Sequence, residues 1–165
     1  MSTRDETIVG GRQLDDLLQT LPAKMQKNIN RSALRAGAAT LLPEVKSRIP
    51  VDSGQLQASA RITTRAKGAT VSASVKVGNF VAWYAHLVEY GTQSHVERAR
   101  DGAMQFSGVT VREVNHPGTR PQPFMRPAID HAFPQVIAAV TAKIRQRLNQ
   151  QGLNVPDTLP SDPQE

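Results

Sequence analysis

The sequence contains no cysteine, which excludes disulfide bonds, thiolate metal ligands and cysteine nucleophiles together. This composition fits assembly in a reducing cytoplasm. No apolar run approaches the roughly 20 residues that a membrane-spanning helix needs, and residues 1–11 are polar rather than signal-like. Aromatic residues make up only 4% of the 165 residues. We therefore expect no membrane partner and a thin aliphatic core, to whose stability subunit contacts contribute.

The residue patterns of common catalytic sites are also missing. The glycines form neither G-x-G-x-x-G nor a phosphate-binding P-loop. Ser53 lies in an Asp-Ser-Gly turn rather than in the strand–turn–helix setting that exposes a hydrolase serine. The 4 histidines are scattered and contain no H-x-x-x-H pair. The sequence therefore predicts no enzyme activity, no cofactor and no metal.

One metal site stays open as an alternative. His86 and Glu89 are three residues apart, a spacing that would place both on one helix face and that occurs among metal ligands. No third ligand lies near them in the sequence. The other interpretation is a hydrogen-bonded histidine and a glutamate at the surface or at an interface.

The net charge of +6 is unevenly distributed, because basic residues are concentrated between residues 23 and 48, where the only acidic residue is Glu44. Two interpretations remain open: a solvated helix face, or contact with the DNA backbone or an acidic neighbouring subunit. No helix-turn-helix pattern and no alternation of aromatic and basic residues indicates base recognition. The candidate contact residues are Lys24, Lys27, Arg31 and Arg35.

Apolar spacing predicts three helices. Leucines recur at three- and four-residue spacing in residues 13–21, which predicts a short helix. A break at Pro22 precedes a long helix that Ile49-Pro50 ends. The last helix follows Phe124, and we expect its regular part to start at Pro134.

Two further segments connect these helices. Alternating apolar residues predict a β-hairpin between residues 58–64 and 70–77. Small polar residues occupy its other face, which we expect to contact water. Residues 82–90 form the densest apolar patch of the chain, which favours one or two helical turns ending at Gly91.

Residues 93–115 are the least regular part, and we expect an irregular or mobile insertion containing a possible hairpin of residues 104–106 with 109–114. The predicted fold class is α+β, with a long N-terminal helix, a small antiparallel sheet built on hairpins, and a C-terminal helix packed against the sheet. The predicted organisation is a flexible N-terminus, a single domain containing the insertion, and a disordered tail: residues 1–12, 13–150 and 151–165.

Three segments in this order resemble the tail-component, or minor virion morphogenesis, family of long-tailed double-stranded DNA phages. The first is Ile-Pro-Val-Asp-Ser-Gly-Gln-Leu at residues 49–56, after the long helix. The second is Tyr-Ala-His-Leu-Val-Glu-Tyr-Gly-Thr at residues 84–92, and the third is His-Pro-Gly-Thr-Arg-Pro-Gln-Pro-Phe-Met-Arg-Pro-Ala at residues 116–128. The resemblance covers residues 14–148, and this chain departs from the family pattern in its longer segment 93–115.

The resemblance implies an α+β fold without enzymatic activity and a homo-oligomeric ring, with a hexamer favoured. Such a ring would complete the tail, or join it to the head, in the phage neck around the DNA channel. The implied partners are head connector or adaptor proteins, tail tube or tail terminator proteins, and double-stranded DNA passing without sequence specificity. The implied location is the virion, assembled in the host cytoplasm. The alternative function is a basic nucleic-acid-binding module with sequence-independent backbone contacts.

Candidate ring or partner contacts lie in the second and third segments and at Trp83, directly before the second segment. The prolines of the third segment fix φ, so they can present Phe124 and Met125 from a stiff arm. Core packing is the alternative for the large side chains, favoured for Phe124, whereas an interface is favoured for Trp83. A cyclic ring needs head-to-tail contacts, so two different patches per subunit should become buried. The candidates are Trp83, Tyr84, Glu89, Tyr90, Gly91, Thr92, Pro123, Phe124, Met125 and Arg126.

Overall fold

The computed structural model describes residues 18–68, 70–99, 102–106 and 108–153. The helices in these residues are α1 (Ala23–Arg48), α2 (Gln55–Ala58), α3 (Ala85–Tyr90) and α4 (Met125–Asn149). The strands are β1 (Arg61–Lys67), β2 (Thr70–Lys76), β3 (His95–Arg98), β4 (Met104–Phe106), β5 (Val109–Val111) and β6 (Glu113–His116). The described strands form three two-stranded sheets, β1-β2, β3-β6 and β4-β5. The predicted α+β class, with a long N-terminal helix, small antiparallel sheets and a packed C-terminal helix, is confirmed.

Prolines lie at the start of α1 and inside both long helices. The chain is helical at residues 18–19, breaks, and restarts where the Pro22 carbonyl accepts hydrogen bonds from the amides of Met25 and Gln26. α1 then continues through Pro43 to Arg48. The expected start of regular helix at Pro134 is wrong, because α4 begins at Met125 and continues through Pro134.

The predicted hairpin is present with a shifted start. Exposed and half-buried residues alternate along both β1 and β2, so one face of the hairpin contacts water as expected. Gly68 follows β1 with φ +58, a left-handed conformation that glycine adopts without strain. β1 begins at Arg61 rather than at residue 58, because Gln55–Ala58 form a helical turn in which the Ala58 amide donates to the Gly54 carbonyl.

The segment predicted to be irregular contains four short strands. β4 and β5 pair antiparallel, Phe106 opposite Val109, as the possible hairpin predicts. Outside them β3 pairs with β6, His95 opposite His116, and these two imidazole rings stack at 5.1 Å between centroids. The Gln93 carbonyl and then the Glu97 carboxylate raise the pKa of His95, because both interact favourably with its protonated ring.

The described part of the chain belongs to two compact units that alternate along the sequence. Unit 1 comprises Met1–Leu41, Ile62–Val75 and Phe133–Glu165, and unit 2 comprises Leu42–Arg61 and Lys76–Ala132. The single domain over residues 13–150 stays a prediction. The predicted N-terminus, residues 1–12, lies outside the described residues, and so does the predicted tail from residue 154 onward.

Unit 1 is organised around one aliphatic cluster. Its buried members come from the first helical residues, α1 and α4: Leu18, Ile29, Ala33, Ile144 and Leu148. Met25 and Leu153 pack against this cluster while remaining partly exposed. Leu148 is fully buried in this cluster. The buried members of this cluster are all aliphatic, in agreement with the expected, mainly aliphatic core.

Gly37 permits the close approach of the two long helices within unit 1. A Cβ at this position would lie 2.6 Å from Cγ2 of Val140 and 3.2 Å from Cγ1 of Val136. Both neighbours are β-branched and have few alternative rotamers in a helix. Glycine normally weakens a helix interior by about 1 kcal/mol relative to alanine. Here that cost is offset by packing that a larger residue would prevent.

We expect Gly37→Ala to lower the free energy of unfolding by about 1–2 kcal/mol, because overpacking costs about 1–3 kcal/mol and the helix propensity of alanine returns at most about 1. Urea denaturation measures this change. Adding Val140→Ala should relieve the clash and give a coupling energy of about 0.5–3 kcal/mol in a double-mutant cycle. A Gly37→Ala variant that is more stable than the parent, with no coupling to Val140, would contradict this packing.

Candidate functional site

The three segments that resemble phage tail components meet in unit 2. They surround a cavity of about 290 Å³. The first segment contributes most of the lining, the second contributes Tyr84 and Val88, and the third contributes Gln122. Residues separated by some 70 positions in the sequence are therefore brought to one place, which we call the segment junction. Its lining residues are Pro50, Val51, Asp52, Ser53, Gly54, Leu56, Tyr84, Val88 and Gln122.

Backbone hydrogen bonds hold the second segment to the third. Thr92 and Thr119 exchange both amide-to-carbonyl hydrogen bonds, at 3.0 and 3.1 Å, and form an isolated antiparallel bridge. The Gln122 amide donates to the Val88 carbonyl at 2.8 Å. The Thr119 amide also donates to Oγ1 of Thr92 at 2.9 Å. Thr92 thus bonds to the third segment through both its backbone and its side chain.

Two glycines allow the backbones to come this close. Gly91 has φ +72, and a Cβ there would lie 2.5 Å from the Thr119 carbonyl oxygen. Gly118 has φ +87, and a Cβ there would overlap the Thr92 carbonyl oxygen. Both positions therefore require glycine for conformation and for space. Gly91 therefore permits the close backbone contact between the second and third segments.

The Glu89 carboxylate caps the N-terminus of α4. Its Oε2 accepts hydrogen bonds from the Phe124 amide at 2.8 Å and from the Met125 amide at 3.1 Å. A helix N-terminus leaves its first amides without intrahelical partners and carries partial positive charge, so a carboxylate there is stabilising. The sequence contains a signal for this contact: residues 121–124 offer no Ser, Thr, Asp or Asn as a local cap. The sequence analysis nevertheless considers Glu89 only at the surface, at an interface or in a metal site.

The predicted interface residues differ in exposure. Trp83 and Tyr90 are 64% and 78% exposed, so both aromatic rings are available to a partner. Phe124 is only 2% exposed, which agrees with core packing, the alternative that the sequence favoured for it. Pro123 and Arg126 are exposed. The others are half-buried: Tyr84, Glu89, Gly91, Thr92 and Met125.

Five of these predicted residues line one surface pocket of unit 2. The pocket has a volume of about 440 Å³. Tyr90 forms part of its wall, and Ile129 of α4, which is 43% exposed, adds an apolar surface that sequence reasoning did not include. We call it the Tyr90 pocket, and its lining residues are Glu89, Tyr90, Pro123, Met125, Arg126 and Ile129.

A second apolar surface of unit 2 was missed in the sequence. Phe80 is 97% exposed and the adjacent Val81 is 57% exposed. With Trp83 they form an apolar protrusion, which we call the Phe80 loop. The signal was the Gly78-Asn79 pair, since asparagine commonly fixes a turn through its own side chain. Its Oδ1 accepts hydrogen bonds from the amides of Val81 and Ala82, at 2.9 and 2.8 Å.

Hydrogen bonds and buried residues fix the base of the Phe80 loop. The Gly78 amide donates to Oγ of Ser59 at 2.8 Å, and Nη1 of Arg61 donates to the Gly78 carbonyl at 2.6 Å. Ser59 is buried, and Ala82, at the other end of the loop, is fully buried. A partner that contacts this loop therefore meets a preformed surface, which reduces the entropy lost on binding.

His86 and Glu89, the residues of the metal alternative, both contact the protein backbone. Nδ1 of His86 lies 3.1 Å from the Trp83 carbonyl oxygen, and His86 is exposed. Oε2 of Glu89 is occupied by two backbone amides. Among the described residues, no group of three or more His, Cys, Asp or Glu side chains could hold a metal ion. None of the described helices combines the length and apolar character needed to cross a membrane.

The predicted basic contact residues lie in unit 1. Lys24, Arg31 and Arg35 are exposed on α1 and line one groove, to which Arg147 of α4 adds a fourth basic side chain. Lys27 is half-buried on α1 and is not part of the lining. The structure therefore brings three of the four predicted residues together.

Residues 12–91 match the family model described as bacteriophage HK97-gp10 tail component. The predicted resemblance to phage tail components is confirmed. The match includes the first segment and all but the last residue of the second, and the third segment lies beyond it. A phage tail component has a structural role in the virion. No curated protein and no solved structure gave a significant match to the chain.

We expect Glu89→Ala to lower the free energy of unfolding by about 1–2 kcal/mol, because the first amides of α4 lose their acceptor. Glu89→Gln, which keeps an acceptor without the charge, should cost less. Chemical denaturation measures both, and amide hydrogen exchange at Phe124 and Met125 should accelerate in the alanine variant. The matched control is Glu97→Ala, since that carboxylate is 54% exposed. Equal effects of Glu89→Ala and Glu97→Ala would contradict the capping role.

Proposed function

We propose that this protein is a tail-completion or head–tail joining subunit, which forms a ring in the phage neck around the channel through which DNA passes. A hexameric ring is our preferred arrangement. Its partners are head connector or adaptor proteins on one face and tail tube or tail terminator proteins on the other. The family match supports a tail component. The observation that carries the ring is a pair of unlike apolar surfaces on unit 2, the Phe80 loop and the Tyr90 pocket.

Ring closure requires this kind of asymmetry. A cyclic assembly uses heterologous contacts, in which one patch of a subunit binds a different patch of the next. The Phe80 loop protrudes and is apolar, whereas the Tyr90 pocket is concave and lined mainly by apolar side chains. Each aromatic side chain buries about 150–250 Å² when it is fully covered. We propose that the Phe80 loop of one copy docks into the Tyr90 pocket of the next.

The anchor residues have the composition of an interface centre. Tryptophan and tyrosine dominate binding free energy where they enter desolvated pockets, and Trp83 and Tyr90 are available for that role. Arg126 lies at the pocket, where an arginine can stack on an incoming aromatic ring. Glu89 would stay with the α4 amides and shape the pocket without contacting the partner.

We expect Phe80→Ser and Trp83→Ala to abolish ring formation, because each removes a central apolar contact, while thermal stability of the subunit stays within about 1 kcal/mol as for other exposed positions. Native mass spectrometry and electron microscopy, on the protein alone and with tail tubes, measure assembly. The matched control is Val109→Ser, whose side chain is 61% exposed and lies outside both surfaces. Rings that form equally in all variants would refute the docking. A protein that stays monomeric and never associates with virion parts would refute the neck role.

The basic groove of unit 1 favours a second candidate function, a nucleic-acid-binding module that contacts the phosphate backbone without sequence preference. Lys24, Arg31, Arg35 and Arg147 supply its positive charge. We expect duplex DNA to bind with an affinity that falls steeply as salt rises. The logarithm of the binding constant should fall with the logarithm of the salt concentration, with a slope of roughly −0.9 for each phosphate neutralised. Fluorescence anisotropy at several salt concentrations measures this. Absence of binding even at low salt would exclude the second candidate.

A further inference from the structure

The groove of unit 1 combines a basic rim with an apolar floor. It has a volume of about 750 Å³ and is formed by α1, by Thr64 of β1 and by the end of α4. Met25 and Ile29 lie in its lining and also belong to, or pack against, the aliphatic cluster. The lining residues are Pro22, Lys24, Met25, Asn28, Ile29, Arg31, Ser32, Arg35, Thr64, Arg147 and Gln151.

The described side chains of this groove do not balance its charge. None of the lining residues that the structure describes is acidic. Within the part of the chain that the structure describes, no carboxylate forms an ion pair with Lys24, Arg31 or Arg35. Nε of Arg147 donates to Oγ of Ser32 at 3.3 Å, which holds the guanidinium at the rim without neutralising it. The groove is therefore suited to an anionic ligand.

The apolar floor restricts that ligand further. A phosphate backbone satisfies basic side chains but provides little apolar surface to cover Met25 and Ile29. An extended peptide can do both, because alternate side chains point to opposite sides and one set can be apolar. The groove thus fits a short segment that carries both carboxylates and aliphatic side chains.

We propose that residues 154–165 of this same chain occupy the groove. Their sequence, Asn-Val-Pro-Asp-Thr-Leu-Pro-Ser-Asp-Pro-Gln-Glu, contains three acidic residues and no Lys or Arg. The aliphatic residues in it are Val155 and Leu159, which would cover the floor. Prolines at three positions fix φ and favour extended backbone, which lowers the entropy lost on binding.

The tether places this segment beside the groove. Gln151 lines the groove, and Leu153 packs against the aliphatic cluster that includes Ile29 and Leu148. The last described residues before the segment therefore lie at the groove, and a segment of this length reaches at most about 40 Å when extended. A short tether gives an effective concentration on the order of millimolar, so weak contacts suffice for occupancy. The bound segment would cover the basic rim and compete with DNA or an acidic partner for it.

Because the chain contains no cysteine, a single nitroxide label at Ser161→Cys can test this in the full-length protein. We expect paramagnetic broadening of the backbone amides of Asn28, Ser32 and Thr64, which line the groove. The broadening should decrease as salt rises, because the ion pairs are screened. In Arg31→Gln/Arg35→Gln, most of it should disappear. The matched control is Arg65→Gln/Lys67→Gln, which removes the same charge from exposed β1 positions outside the groove and should retain the broadening.

Three outcomes would overturn the proposal. Groove amides that are not broadened, or that are broadened equally in both charge variants, would show that the segment does not bind there. Broadening seen only between a labelled and an isotope-enriched copy would assign the groove to the segment of a neighbouring subunit. Duplex DNA that binds equally well to the parent and to an Asp157→Asn/Asp162→Asn/Glu165→Gln chain would assign it to nucleic acid, without competition from the segment.

Discussion

The contact between Glu89 and the first turn of α4 fixes the geometry on which unit 2 depends. One carboxylate oxygen accepts two backbone hydrogen bonds, from Phe124 and Met125, across 35 and 36 positions of sequence. It determines where α4 begins, and so which of its residues face the interior: Ala128 and Ala132 are both buried. The same contact leaves Phe124 at the end of the proline-rich segment, inside the core. The Tyr90 pocket lies beside it because α3 supplies both the cap and the tyrosine.

Glycines permit close approaches of the backbone in both units. In unit 1, Gly37 lets α1 approach Val136 and Val140 of α4. In unit 2, Gly91 and Gly118 let two backbones exchange hydrogen bonds at Thr92 and Thr119. Phe124 is buried, whereas the aromatic residues Phe80, Trp83 and Tyr90 are exposed. The core of the described residues is therefore mainly aliphatic, and three large aromatic side chains are available at the surface.

Local patterns in the sequence are sufficient to predict the secondary-structure elements but not the tertiary contacts between them. Periodicity predicts α1 and the final helix, and alternation predicts the β1–β2 hairpin, because each of these signals lies within a few neighbouring residues. The sequence predicts that a helix ends at Gly91. It does not predict the contact of Gly91 with Thr119, because nothing local encodes a partner 28 positions away. The same limit applies to Glu89 and Phe80. Neither a helix cap supplied from a distant position nor a solvent-exposed loop produces a periodic pattern in the sequence. The basic residues were identified, but the apolar floor beneath them became visible only when α1, β1 and α4 were assembled.

The strands between residues 95 and 116 have a consequence for local stability. β3 and β6 form a two-stranded sheet whose β3 side chains are all exposed, and isolated two-stranded hairpins are only marginally stable in water. Few buried apolar contacts oppose the separation of these strands. Their amide protons should therefore exchange with solvent through sub-global opening, at a free energy well below that of the helices. Two side-chain contacts join these strands: the stacked rings of His95 and His116, and the ion pair of Arg98 with Glu113. Solution conditions that change either contact should therefore alter the population of the opened form of β3 and β6 without unfolding the rest of the protein.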